Sequence, residues 1–392
     1  MSDLDGAVMC GYQGWFRTPG DGANEGWVHY PSRGGFKPGS CSIDLWPDVA
    51  DLDADERVPT EFRHADGSVA HVFSSHNRKT VDRHFRWMKE YGIDGAFVQR
   101  FASATGSKRI GSLNAVLDHC RAGAVAHGRK WAVMYDLSGL APGRIDRVID
   151  DWTALIRERS IPTAPGGMRH GGRPLVAVWG AGFTDDKSRP SLDDWRKLVA
   201  FLKSDAGGRC AVMLGVPFNW RTLNRDALPD PGWHALIRSA DVVSPWSVGR
   251  YRDPAQVAKT VQKHWADDLA WCREAGLTYL PVAFPGFSWQ NLMKGRGTEA
   301  QLDQIPRRGG GFFWAQAVAA QRAGARGLYV AMFDELDEGT AIFKCSGNPP
   351  VGASAFVNVG DVPPDHYLRL AGQAGLLLRG TLPATDALPA RR

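Results

Sequence analysis

The chain contains no apolar run approaching the roughly 20 residues of a helical membrane span, and its Met-Ser-Asp-Leu-Asp start has neither the basic nor the apolar region of a secretory leader. These absences predict a soluble protein with no membrane span, cytoplasmic as read, or periplasmic or secreted where a leader has been removed. No clustered Lys/Arg stripe accompanies the slight basic excess, 47 Lys and Arg against 42 Asp and Glu, so phosphate neutralisation and a nucleic-acid partner are not expected. The six cysteines (Cys10, Cys41, Cys120, Cys210, Cys272 and Cys345) form no CxxC pair and no tight cluster. Four of them fall inside apolar strand or helix patterns, which suits buried free thiols better than a disulfide framework. Also missing are HExxH, a Gly-x-Ser-x-Gly elbow, GxxxxGK[ST] and a Gly-x-Gly-x-x-Gly after a strand, and the 11 histidines make no ligand pattern. No metal and no cofactor is expected.

Tryptophan, by contrast, is abundant: 15 copies, many beside Gly, Pro or Asp rather than in helical stripes, where a flat apolar face is free to stack on a sugar ring. With 392 residues, 43% hydrophobic and 23% charged, the chain has material for a large core, and its length admits one large α/β barrel.

Short β-rich runs alternate with segments in which apolar residues recur every three or four positions, the signature of βα units around a parallel sheet. The runs are 7–12, 95–100, 131–136, 174–179, 211–217, 241–246, 279–283 and 327–332, and eight such strands close a (β/α)8 TIM barrel. Helices are predicted over 77–91, 112–127, 144–159, 191–204, 254–275 and 311–323, and the fifth unit, broken by Pro229 and Pro231, gives the weakest helix signal. Residues 13–76 form a long insertion between strand one and helix one, rich in Gly, Pro, Asp and aromatics, and are expected to shape a substrate site. The reading is one catalytic domain over 1–378, ending in an amphipathic stretch at 366–378, with a tail at 379–392 expected to fray.

In this fold function sits where the strands end, so the residues just after each run are the candidates. They include Tyr12, Gln13 and Trp15 after strand one, Gln99 and Arg100 after strand two, Asp136 after strand three and Trp179 after strand four. Asn219 and Trp220 follow strand five, Trp246 strand six and Phe287 strand seven, while His29, Tyr30 and Trp46 lie in the insertion. Aromatic planes with amides and acids between them suit a polyhydroxylated ring. The sharpest feature follows strand eight: Asp334, Glu335, Asp337 and Glu338 crowd into five positions beside Gly339. Crowded carboxylates removed from bulk water have their pKa values driven apart, which supplies the acid and the base that glycosidic cleavage needs. Two of these four acids are therefore expected to be catalytic, and the other named residues substrate-binding. An oligosaccharide or polysaccharide is the expected partner, and a binding-only protein on the same barrel is the alternative.

Three blocks resemble glycoside hydrolase family 99 and the related family 71. They are Gly11-Tyr12-Gln13-Gly14-Trp15-Phe16 with Gly26-Trp27-Val28-His29-Tyr30; Asp44-Leu45-Trp46-Pro47-Asp48 with the helix running to Gly92-Ile93-Asp94-Gly95; and Phe333-Asp334-Glu335-Leu336-Asp337-Glu338-Gly339-Thr340. The last is similar to the family's Phe-Asn-Glu-Trp-His-Glu-Gly-Thr at Phe, both Glu, Gly and Thr. The chain also looks like bacterial relatives labelled xylosidase/arabinosidase. The resemblance implies a retaining hydrolase of α-linked glycans, the best-known members being endo-α-mannosidases. By position it implies that Glu335 takes the proton from the sugar's own 2-hydroxyl while Glu338 acts as acid and then base. Asp334, Leu336 and Asp337 depart from the pattern at substrate-site positions, so the likeness carries the reaction type further than the sugar.

Overall fold

A computed structural model describes residues 2–184, 189–360 and 362–390. Its centre is a ring of parallel strands: Val8–Tyr12, Gly95–Phe101, Lys130–Asp136, Arg173–Trp179, Ala211–Pro217, Val242–Trp246, a split seventh strand and Leu328–Val330. The first strand pairs with the second through Met9 and Gly95, and with the eighth through Val8 and Leu328. The seventh run, expected to be continuous over 279–283, is interrupted at Leu280 and Pro281, because proline has no N–H for a ladder. Its first piece, Thr278–Tyr279, pairs with the sixth strand, and its second piece, Val282–Ala283, pairs with the eighth. The ring closes through this split strand, as the eight runs predict. The strands are buried on both faces, which explains why they read as continuous apolar runs rather than alternating ones.

The outer helices stand close to their predicted positions, with local signals setting their ends. Asn77 caps Arg78–Tyr91 by accepting from the Lys79 N–H, and Gly92 ends that helix in the left-handed region. Ser191 and Asp194 form a reciprocal capping box at Leu192–Lys203. The weakly signalled fifth unit does form a helix, Gly232–Ser239, starting directly after Pro231, where the missing N–H costs nothing. The stretch expected as one helix over 254–275 carries a π segment at Val257–Val261.

The insertion contains a short antiparallel hairpin, Val58–Arg63 with Val69–Val72, over an aromatic cluster of its own. In that cluster Phe36 stacks near Trp46, with Tyr30, Phe62 and Phe356 packed around them. The helix His366–Leu378 lies against the first outer helix so closely that a Cβ on Gly372 would come within 1.7 Å of the Tyr91 carbonyl oxygen. The tail is tethered rather than frayed: Trp314 donates its indole N–H to the Thr385 carbonyl, and Arg322 pairs with Asp386. All six cysteines are buried and unpaired.

Arg100 belongs to this framework. Its Nε and Nη2 donate to the two oxygens of Asp151, each at 2.6 Å, and the Tyr135 hydroxyl donates to the same carboxylate at 2.5 Å. Both ion-pair partners are almost wholly buried, at 3% and 6% side-chain exposure. The fork fixes the second strand to the helix Asp146–Arg159. Arg100→Ala is expected to leave Asp151 charged and unpaired in the interior, lowering unfolding free energy by about 3–5 kcal/mol in urea denaturation.

Candidate active site

The exit of strand eight turns back on itself within a few residues. Ala341 donates its N–H to the Glu335 carbonyl, and Phe343 donates to that of Phe333, so residues 334–341 project as a tight loop over the barrel mouth. Gly339, at φ 64°, is what lets the loop bend: a Cβ there would lie 2.8 Å from the Ser288 nitrogen. Ser288 in turn donates its N–H to the Glu338 carbonyl, and Arg307 donates to the Gly339 and Ala341 carbonyls.

The exit of strand one is anchored to this loop by Asp334. The fully buried carboxylate accepts the backbone N–H of Gln13 at 2.7 Å on one oxygen and that of Gly14 at 2.8 Å on the other. Gln13, held by its backbone, donates its side-chain amide to Glu335 Oε1 at 2.7 Å, while Thr340 donates its hydroxyl to Glu335 Oε2 at 2.7 Å. A third tie comes from the insertion, where Asp44 accepts from the Ser288 hydroxyl and from the Gln290 and Asn291 N–H groups. Its own N–H donates to the Leu336 carbonyl.

Glu335 and Glu338 both face a cavity of about 630 Å3 at the carboxyl ends of the strands. Gln13, Trp15, Gln99, Asp136, Trp179, Trp246 and Phe287 line it with them, as the strand-exit rule predicts. The rings are set by mutual contact. Trp15 stacks between His29, 3.9 Å away and nearly parallel, and Phe101, while Trp179 meets Trp246 edge to face at 5.5 Å. The wall also takes Phe101, Met134, Ser138, Phe183, Trp289, Gln304, Met332 and four arginines, Arg189, Arg250, Arg252 and Arg296. Phe101, Met134 and Met332 belong to strands or their immediate ends, whereas the four arginines come from further along the exit loops, where no strand-adjacent motif marks them.

Other expected site residues lie elsewhere, for physical reasons. Tyr12 is fully buried beneath the mouth, bonded to His84 Nδ1, and Tyr30 is buried with its hydroxyl donating to the Phe73 carbonyl. Trp46 is part of the insertion's aromatic cluster, and Arg100 is committed to Asp151. Asn219 donates its side-chain amide to Asp226, and Trp220 donates its indole N–H to buried Asp268, so neither side chain reaches the cavity. Of residues 13–76, the lining takes Gln13 and Trp15; the rest of the insertion buttresses the mouth from outside. Asp334 and Asp337 sit behind the cavity rather than on its wall, and His29, with Nδ1 3.6 Å from Asp337, backs Trp15.

Burial dominates the electrostatics. Desolvation lifts the Glu338 carboxyl to about 7, with the charge of Asp337 adding to the rise and Arg296 opposing it. Glu335 is also raised well above the ordinary carboxylate range, by desolvation first, then by the charges of Glu338 and Asp337, against the bonds from Thr340 and Gln13. Two interacting acids titrate as a pair, and the repulsion from Glu338 vanishes when Glu338 holds the proton. Both donors point at Glu335, whereas among the described residues no hydrogen bond reaches the Glu338 carboxyl. The two hydrogen bonds to Glu335 oppose the rise in its pKa, and no hydrogen bond opposes the rise at Glu338. Asp334 is likewise pushed up by burial, to about 7, against its two backbone N–H bonds. Among the described residues, one group has metal-compatible spacing, Asp53, Asp55 and Glu56, but Lys79 and Arg83 already neutralise it.

The fold is a TIM barrel with an acidic, aromatic-lined mouth. In structure the chain is similar to the glycoside hydrolase family 99 endo-α-mannosidase of Bacteroides thetaiotaomicron, with a TM-score of 0.68 over 96% of this chain and 99% of that one, at 15% sequence identity. A complex of the same enzyme with bis-tris propane gives 0.67. A glycoside hydrolase-like protein gives 0.57 over 95% of both chains at 13% identity. No family model and no curated protein matches the sequence. At such identity the shared property is the fold.

Removing the Asp334 anchor is expected to strand the Gln13 and Gly14 N–H groups. Asp334→Ala should lower stability by roughly 1–3 kcal/mol in thermal or urea unfolding, with loss of the Gln13 bond to Glu335 as the local consequence.

Proposed function

We propose that the protein is a glycoside hydrolase acting on α-linked glycans with retention of configuration, with Glu335 and Glu338 as its catalytic residues. One observation carries the reading: two carboxyls from a single short loop face one aromatic-lined cavity, with hydrogen-bond donors aimed at one and none at the other.

In the first step Glu335, ionised and held by Gln13 and Thr340, accepts the proton of the sugar's 2-hydroxyl as that oxygen attacks the anomeric carbon. Glu338 gives its proton to the departing glycosidic oxygen, and a 1,2-anhydro sugar forms. In the second step Glu338 takes a proton from water, the water oxygen attacks the anomeric carbon, and the 2-oxygen recovers its proton from Glu335. Two inversions at one carbon give net retention, and both acids return to their starting states. Because the sugar supplies the nucleophile, the carboxyl separation used to tell retaining from inverting enzymes does not apply. The support is the two carboxyls with their unequal hydrogen bonding, the rings of Trp179 and Trp246 on the cavity wall, and the fold shared with a family 99 endo-α-mannosidase.

Glu335→Gln and Glu338→Gln should each lower kcat on α-linked glycans by about 10²–10⁴-fold with unchanged thermal unfolding, as followed by reducing-end release. Glycan binding by the native protein without any release of reducing ends would instead identify a binding protein on a glycosidase barrel.

The pH profile gives a second check. Glu338 works as an acid only while protonated, so kcat/KM should fall as pH rises through about 7. Asp337→Asn removes a negative charge that raises the Glu338 pKa, and should move this alkaline limb to lower pH; a limb that stays in place separates Asp337 from the acid.

A further inference from the structure

Positive charge is concentrated on the cavity wall. Apart from the two catalytic residues, the charged side chains lining it are Asp136 and the four arginines, with no lysine among them. Asp136 is itself shifted toward its neutral form by burial, although the Ser138 N–H donates to it. The chain as a whole is nearly balanced in charge, so this concentration is local to the mouth.

The arginines are not equivalent. Arg250 is spoken for by Asp226, to which its Nε donates at 2.7 Å, and Arg189 lies over the rings of Trp179 and Phe183. Arg252 and Arg296 come from two different loops, after the sixth strand and after the short helix Gln290–Gly295. Among the described residues neither has a carboxylate within ion-pair distance, yet both side chains line the cavity. Arg296 is near enough to Glu338 to oppose the rise in its pKa, which places its positive charge on the side of the acid.

We propose that the cavity accepts a glycan carrying an anionic group, a carboxylate or a sulfate, and that Arg252 and Arg296 engage that group. The choice of a glycan rests on the glycosidase reading above. A guanidinium presents a planar fork that matches a carboxylate or sulfate edge with two parallel N–H bonds, a match no neutral hydroxyl offers. The mechanism needs a free 2-hydroxyl, so the charge belongs elsewhere on the ring or on the adjoining residue.

The test is calorimetric titration of the full chain carrying Glu335→Gln, which slows turnover, with α-linked oligosaccharides in three matched forms: neutral, 6-O-sulfated and oxidised at C6 to the uronate. The unmutated protein, followed by its ligand-dependent rise in Tm, gives an independent reading. At least one charged form should bind on the order of tenfold tighter than its neutral match, with an advantage that shrinks as salt is raised. The sulfated and uronate arms tell the two sources of charge apart. Arg252→Gln and Arg296→Gln should each erase most of that preference, and lysine at either position should restore part of it. Equal or tighter binding of the neutral form, a preference that survives both glutamine substitutions, or no binding of any charged form overturns the proposal. Hydrolysis of neutral glycans with no preference for charge leaves the glycosidase reading standing, whereas tight binding of a charged form that the native protein never cleaves sinks the glycosidase reading alone.

Discussion

The buried carboxylate of Asp334 joins the two ends of the barrel at the point where its chemistry would occur. By accepting the N–H groups of Gln13 and Gly14, it fixes the exit of the first strand against that of the eighth. Gln13 then has one place to put its amide, on Glu335. A carboxylate in that position is costly to bury, and its pKa is raised accordingly, but each of its oxygens receives a donor. An apolar residue there would leave two backbone donors without partners and Gln13 without a fixed backbone. Position 334 thus sets the geometry of the pair without touching the cavity.

The same desolvation that makes Asp334 expensive makes its neighbours useful. Four acids in five positions repel one another, and exposed to water they would all ionise near pH 4. Packed at the mouth, they differ in what each one touches. Glu335 receives two hydrogen bonds, Glu338 none, and Asp337 lies near His29 with its Oδ1 buried and without a protein hydrogen-bond partner. Difference in environment, rather than in residue type, separates an acid from a base.

The long insertion serves this geometry from behind. Its aromatic cluster gives it a core of its own, and Asp44 uses that rigidity to hold the loops after strands seven and eight together. Loops are ordinarily the mobile part of a barrel, and here three of them are tied by buried carboxylate-to-backbone bonds.

Much of the architecture was legible in the chain because the signals are local. Apolar runs buried on both faces, capping residues such as Asn77 and Ser191, and the acidic loop after the eighth run each depend on a few neighbouring residues. The strand-exit rule also found the cavity residues that leave their strands directly, such as Gln99, Asp136, Trp179 and Trp246. It misplaced Tyr12, Arg100, Asn219 and Trp220, since a strand-end side chain can turn outward to a helix as readily as inward, and the deciding partners, His84, Asp151, Asp226 and Asp268, lie 7 to 72 positions away. It passed over Arg252 and Arg296 because loop residues carry no periodicity. The sequence by itself determined the eight strands, the ring of helices and the crowded acids. Tertiary structure alone decided which carboxyl receives hydrogen bonds and which arginines line the cavity, because both depend on contacts between loops that only barrel closure brings together.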